Sequence, residues 1–282
     1  MTRYVVTGAG GMLGADLRRV LAGRDVTALT RAELDITDAA AVRAAVAGAD
    51  VVINAAAYTA VDDAETHEEA AFAVNATGAG LLAEAAAQAG ARLVHVSTDY
   101  VFDGGATEPY AEQTPRAPLG AYGRTKAAGE ELVLRHPSTY LVRTAWLYGA
   151  GGANFARTML RLAGERETVS VVTDQVGQPT WSRDLASAIL GLLDADAPFG
   201  IYHGTNSGRA SWFDFARAIF EESGLDPARV LPTDGSAFER PAPRPAFSVL
   251  GHAAWAAAGL EAPRPWRDAL RAAIAEGALT SP

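Results

Sequence analysis

Apolar positions in this chain alternate between two patterns. Short β-branched runs mark buried strands, and between them apolar residues recur every three or four positions, as on one face of a helix. Tyr4-Val5-Val6-Thr7 is the first strand, and Ala15-Asp16-Leu17-Arg18-Arg19-Val20-Leu21 is helical. Further strands are predicted at Asp25–Leu29, Asp50–Asn54, Arg92–Ser97 and Ser138–Arg143. An alanine-rich helix is predicted from Phe72 through Ala89, and another follows Tyr122. Strand–helix alternation of this kind predicts an α/β fold, a doubly wound parallel sheet with right-handed crossovers. The character changes after Gly149. A loop carries Gly149, Gly151 and Gly152, and later stretches hold Pro232, Pro241, Pro243 and Pro245. The expected division is a sheet domain over residues 1–148, with 168–203 adding strands (Val169–Val172 and Ile201–His203) and a helix. A smaller, irregular C-terminal part covers 149–167 and 204–282.

Between the first strand and helix lies Gly8-Ala9-Gly10-Gly11-Met12-Leu13-Gly14. Gly8, Gly11 and Gly14 make a G-x-x-G-x-x-G turn, in which a missing Cβ permits a sharp bend, a close phosphate and close helix–strand packing. Met12 and Leu13 open the helix, whose N–H groups and dipole favour a pyrophosphate. This is a Rossmann-like dinucleotide signature. The second strand ends in Thr30-Arg31 instead of an acidic residue, which suits a 2′-phosphate and points to NADP(H). The competing reading is that Thr30-Arg31-Ala32-Glu33 is a capping box with Arg31 merely on the surface, which leaves NADH open. Asp35 and Ile36 fall where the loop meets the adenine.

Tyr122 and Lys126 are four residues apart, so both leave one face of a helix. A phenol titrates near ~10, and a neighbouring ammonium lowers that value toward the range useful for proton transfer. The fourth strand ends in Ser97-Thr98-Asp99 at the carboxyl edge of the sheet, where ligands of such folds sit. Thr98, Tyr122 and Lys126 therefore form a candidate hydroxyl–phenol–ammonium group around one reacting carbonyl.

Lys+Arg of 24 against Asp+Glu of 33 gives a net charge of −9, which argues against an extended nucleic-acid or anionic-membrane surface. With no cysteine among the 282 residues, disulfides, thiolate metal sites and a Cys nucleophile are excluded. No apolar segment is expected to approach a membrane span, and the first strand begins too early for a signal peptide. The expectation is a soluble cytoplasmic protein.

These motifs together resemble the extended short-chain dehydrogenase/reductases, and within them the dTDP-4-dehydrorhamnose reductase family. The likeness extends over nearly the whole chain. Asn54 through Asp62 is similar to the family's third-strand motif, so the resemblance implies that Ala57, Tyr58 and Thr59 line the cofactor and that Val61 borders the sugar. Ser97 through Gly104 is the most distinctive match and implies a catalytic hydroxyl at Thr98 and a sugar contact at Asp99. Tyr122 and Lys126 match the active-site pair. Arg143 through Gly149 carries Trp146, implied to lie against the deoxysugar. Asn154-Phe155, Asp174 through Thr180 and Arg244 through Leu250 are also similar, although Gly251 stands where an aspartate is common. The resemblance implies NADPH-dependent reduction of the 4-ketone of a nucleotide sugar, with a homodimer as one assembly. A reductase of another dTDP-deoxysugar and a non-catalytic dinucleotide-binding subunit are the alternatives.

Some relatives bind Mg²⁺ through glutamates at a dimer contact, but no motif here places it. Asp62, Asp63, Glu65, His67, Glu68 and Glu69 read as charges complementing a helix dipole, so no metal is expected. Asn75 reads equally as a bridge between backbone groups or a helix-interior residue. His95 and His203 read as packed strand residues. Ser97 lacks the glycine elbow of a hydrolase nucleophile.

Overall fold

Burial on both faces explains the unbroken apolar strands. The structure, a computed structural model, describes residues 1–279. Strands β1 (Arg3–Thr7), β2 (Asp25–Leu29), β3 (Val51–Asn54), β4 (Arg92–Thr98) and β5 (Thr139–Thr144) come first. The shorter β6 (Leu147–Tyr148), β7 (Val169–Val172), β8 (Val176–Gly177), β9 (Thr180–Trp181), β10 (Gly200–His203), β11 (Ala210–Ser211) and β12 (Val230–Thr233) follow. Helices are α1 (Met12–Val20), α2 (Ala39–Val46), α3 (Glu68–Phe72), α4 (Ala79–Ala89) and α5 (Ala121–Val133). Later come α6 (Phe155–Glu165), α7 (Ser182–Asp194), α8 (Trp212–Glu222), α9 (Ala253–Ala257) and α10 (Trp266–Ala275).

The central sheet runs β2-β1-β3-β4-β5-β10, and all of its pairings are parallel. Tyr4, Val6, Ile53, Val94 and Val142 meet Leu13 and Leu17 of α1 and Leu185 and Ile189 of α7. Their neighbours Val5, Val52, Leu93 and Leu141 face the other way, against Val42 of α2, Leu82 of α4 and Val133 of α5. From β1 the chain steps outward to β2 and then returns to β3 on the other side of β1. This reversal opens a crevice beyond the carboxyl ends of β1 and β3. A second core unites α6, α8 and α10 with β7, through Met159, Phe215, Ile219, Leu270 and Val169.

Three expectations are corrected. Val169–Val172 is a strand, but it pairs with Val230–Thr233 outside the central sheet, whereas β10 joins the sheet beside β5. The difference lies in burial: Val169 and Val171 are buried with Ser170 exposed, the one-sided pattern of a peripheral pair. The alanine-rich helix begins at Glu68, not Phe72, and continues through a π-helical segment, Ala73–Gly78, into α4. This 22-residue stretch, Glu68–Ala89, is long and apolar enough by composition to cross a membrane, contrary to the expectation of none. Its hydropathy comes from alanines, and more than half of its apolar window (56%) is buried against the rest of the protein.

Candidate active site

The glycine turn is built around contacts that a Cβ would destroy. Gly8 has φ +71°, and a Cβ there would lie 2.6 Å from the Ala55 and Ala56 backbone at the end of β3. A Cβ on Gly14 would fall 2.2 Å from the Gly8 carbonyl oxygen, so α1 rests directly on the turn. Gly11 is the N-cap of α1 and supplies no capping side chain, and no acidic residue occupies the first turn. The helix start is therefore left for an anionic group. The loop bearing Gly149 and Gly151 packs over Met12, while Leu13 is buried in the sheet core.

Thr30 and Glu33 form one arm of the capping box, on a turn: the Glu33 carboxylate accepts from the Thr30 amide at 2.9 Å and hydroxyl at 2.8 Å, while the Glu33 amide donates to the Thr30 carbonyl at 3.1 Å. Arg31 is exposed and makes no hydrogen bond or ion pair with any described residue. Both readings of this segment thus coexist. Asp35 spends its carboxylate on the Thr37 amide and hydroxyl, which holds it below the usual carboxylate range. Ile36 is buried against Gly78 of the π segment. Asp35 remains exposed, with only Oδ1 engaged, whereas Ile36 is buried.

Ala57, Tyr58 and Thr59 lie in the loop after β3, where Asn75 clamps the middle residue. Its side chain accepts from the Tyr58 amide at 2.8 Å, donates to the Tyr58 carbonyl at 3.1 Å and donates to Thr125 Oγ1 at 3.1 Å. Asn75 is thus a bridge between the cofactor-side loop and the residue preceding Lys126. It sits in the π segment, an irregularity common at functional sites. The Tyr58 hydroxyl in turn donates to Asp63.

Thr98 ends β4 and caps the short turn after it, accepting from the Tyr100 amide at 3.2 Å while donating to Asp99 Oδ1 at 3.0 Å. The Tyr122 phenol lies beside the Thr98 hydroxyl, and its ring meets Tyr100 edge-on at 5.5 Å between centroids. Val61 packs in the same small cluster as Tyr58, Tyr100 and Tyr122. Lys126 is buried and donates to the Val96 carbonyl at 2.7 Å. Burial pulls its ammonium down to about 8, with Glu130 opposing. Burial also pushes the Tyr122 phenol up, and the neighbouring Thr98 hydroxyl only partly offsets this. This corrects the expectation of a lowered phenol: desolvation dominates, and the lysine is directed to a backbone carbonyl instead. Asp99 is wholly buried, and desolvation raises its carboxyl to about 6, against the Ser248 and Thr98 hydroxyls beside it.

The acidic run after β3 holds elements together. Asp62 receives Arg244 on both oxygens at 2.9 Å, Glu65 accepts from the Ala121 amide at 2.8 Å, and Glu68 pairs with Arg124 at 2.7 Å. Among the described residues no group of three or more His, Cys, Asp or Glu side chains is arranged to hold a metal ion. The segment from Arg244 to Leu250 acts as a strap. Phe247 donates its amide to the Gly104 carbonyl, Val176 donates to Ala246, and Tyr110 donates to Val249. Trp146 adopts a left-handed backbone, φ 47°, and stacks on Trp212 of α8 at 3.6 Å between centroids. It is half-buried, at the seam between the sheet and the second core. His95 and His203 are both buried.

The sequence reads Asn75 two ways and Glu65 only as a helix-dipole charge, and gives no sign of the Ser248 contact or the Glu130–Arg143 pair. A polar residue within an alanine-rich helix was the only signal for Asn75. Glu65 finds its partner 56 residues on at Ala121, and Glu130 meets Arg143 only once β5 packs beside α5.

A parallel sheet with a glycine-turn crevice, bordered by hydroxyl, phenol and ammonium, defines an oxidoreductase of the extended short-chain dehydrogenase/reductase class. Residues 2–279 match the family described as the RmlD substrate binding domain. A dTDP-4-dehydrorhamnose reductase of Streptomyces griseus is 53% identical over 95% of this chain and 91% of its own length. A probable dTDP-4,6-dihydroxy-2-methyloxan-3-one 4-ketoreductase of Streptomyces antibioticus is 51% identical over 96% and 94%. The crystal structure of dTDP-4-dehydrorhamnose reductase from Bacillus anthracis in complex with NADP superposes with a TM-score of 0.95 at 39% identity, covering 98% of this chain and all of that one. The chain belongs to the RmlD family of dTDP-4-dehydrorhamnose reductases.

Proposed function

We propose that the protein reduces the 4-keto group of dTDP-4-dehydro-L-rhamnose with NADPH, giving dTDP-L-rhamnose. The observation that carries this reading is the buried Tyr122, beside Thr98 at the carboxyl edge of the sheet with Lys126 one turn along the same helix. The names of the S. griseus and B. anthracis relatives support the substrate and the cofactor.

The crevice fits a dinucleotide: its wall at Gly8 and Gly14 has no room for a Cβ, and the start of α1 is uncapped by any side chain. Gly8, Gly11, Met12, Leu13 and Gly14 would hold the pyrophosphate, Arg31 the 2′-phosphate, and Ala57 to Thr59 the nicotinamide half. When bound, NADPH supplies the hydride for C4 of the sugar. Tyr122, kept protonated by burial, gives its proton to the alkoxide oxygen on C4. Lys126 places a positive charge near the phenolate left behind. Thr98 orients the phenol, and Val61, Asp99 and Trp146 border the sugar. In this reading residues 1–148 with β10 carry the dinucleotide, and the second core contributes to the substrate side.

The S. antibioticus relative favours a second reading, a 4-ketoreductase of another dTDP-deoxysugar served by the same residues. The assembled Thr98, Tyr122 and Lys126 argue against a non-catalytic subunit. Incubation with NADPH and dTDP-4-dehydro-L-rhamnose, with the product identified by NMR, tests the proposal. Unchanged substrate from folded protein overturns it.

A further inference from the structure

Three strand ends are joined by a buried polar ladder that the reaction does not use directly. Thr7, Asn54 and His95 are register partners on β1, β3 and β4. Asn54 Oδ1 accepts from Thr7 Oγ1 at 2.7 Å and from the Ala56 amide at 3.0 Å. The amide is an obligatory donor, so the orientation of the Asn54 side chain is fixed and its nitrogen faces His95 Nδ1, 3.0 Å away. Nδ1 must therefore accept, and the imidazole carries its single proton on Nε2. Protonating Nδ1 as well would set N–H against N–H. Burial and the charge of Lys126 oppose that second proton too.

His95 Nε2 is buried and has no partner among the described residues, as is true of the Ser97 hydroxyl. Leu93 packs with Val133 of α5, so His95 and Ser97, two and four residues further along β4, face the same helix. That helix carries Lys126, whose ammonium is anchored on Val96, between them in sequence. At its other end the ladder fixes Ala56 and Thr7, the residues on either side of the close approach at Gly8.

We propose that His95 is a positioning residue, a permanently neutral Nε2–H imidazole that ties the dinucleotide crevice to the strand anchoring Lys126. This rests on the dinucleotide reading of the crevice but not on the sugar. The tests therefore use NADPH binding and the imidazole itself, which report whether or not the proposed sugar is turned over. In ¹⁵N NMR of the whole protein, His95 is expected as the Nε2–H tautomer. Asn54→Asp, nearly isosteric, keeps the acceptor for Thr7 and Ala56 but removes the N–H donor, so a proton should appear on Nδ1. His95→Gln can accept from Asn54 and donate on its far side, and it should bind NADPH within about threefold of wild type. His95→Leu leaves the Asn54 amide unpaired and should bind NADPH about tenfold more weakly, both changes read by calorimetry. An Nδ1–H tautomer in the wild type, or no tautomer change in Asn54→Asp, overturns the proposal. So does equal NADPH binding by His95→Gln and His95→Leu.

Discussion

In the proposed reaction Tyr122 is the proton donor: burial keeps its phenol protonated, with the Thr98 hydroxyl beside it. Replacing it with Phe keeps the ring and removes the proton, so kcat should fall by roughly 10²–10⁴ with NADPH binding retained. Activity within a few-fold of wild type would identify another proton donor. Asp99 behaves in the opposite sense to most carboxylates, since burial raises it from 3.8 to about 6. The folded state then holds a proton that the unfolded chain has already lost between those values. Its stabilising contribution is complete below the unfolded value and is lost as pH rises through about 6. Asp99→Asn should remove that decline, leaving the variant more stable than wild type at pH 7 by an amount on the order of 3 kcal/mol. Urea unfolding of both proteins at pH 4, 5, 6 and 7 measures it, and a constant difference across the series contradicts the assignment. Thr98, Tyr122 and Lys126 could be read from the sequence because their spacing is local: a strand end, and two positions one helical turn apart. The burial of Asp99 could not be read, because it depends on Ser248 and the strap arriving from the far end of the chain.

Helix α5 presents Tyr122 and Lys126 in a fixed direction because it is held at several points along its length. Glu65 satisfies the Ala121 amide at its start, Glu68 grips Arg124, and Glu130 pairs with Arg143 of β5 at 2.8 Å in full burial. The Arg143 guanidinium also donates to the Glu112 carbonyl and lies over the Phe102 ring. Arg143→Ala leaves Glu130 with only the more distant Arg116 at 3.5 Å, so the expected loss is about 3–5 kcal/mol in denaturant unfolding. A loss below about 1 kcal/mol would show that Arg116 takes over the pair. The turn after β2 offers a separate test. Arg31→Ala should weaken NADPH by about 1.5–3 kcal/mol while barely changing NADH, if the guanidinium meets the 2′-phosphate. Equal binding changes for both cofactors would leave Thr30–Glu33 as a capping box alone. The strands and helices of the sheet were legible because each carries its own period. The pairing of β7 with β12 and the docking of acidic residues on α5 were not, since those partners are about 60 residues apart.

At the scale of the whole molecule, two packed regions meet along the line from β5 to β6, and the strap from Arg244 to Leu250 stitches them together a second time. Trp146 sits on that line. Gly177 leaves no Cβ where its indole lies, since one there would approach within 2.6 Å. A left-handed backbone at a bulky residue costs on the order of 1–3 kcal/mol and is tolerated where neighbours over-determine it. Trp146→Ala should raise KM for the sugar nucleotide while the melting temperature stays near wild type. If melting collapses by the equivalent of ~3–5 kcal/mol and the folded fraction turns over normally, the indole belongs to the core. The two regions were visible in the sequence as a change in composition after Gly149, but the strap was not, because proline-rich segments carry no period. The stack of Trp146 on Trp212, nearly coplanar at 8°, joins the loop after β5 to α8. Two chromophores that close couple their electronic transitions, so the pair should give a distinctive near-ultraviolet circular dichroism signal. Any movement of the loop after β5 against α8 would change that signal, which makes the native protein its own optical gauge of motion at that seam without an added label.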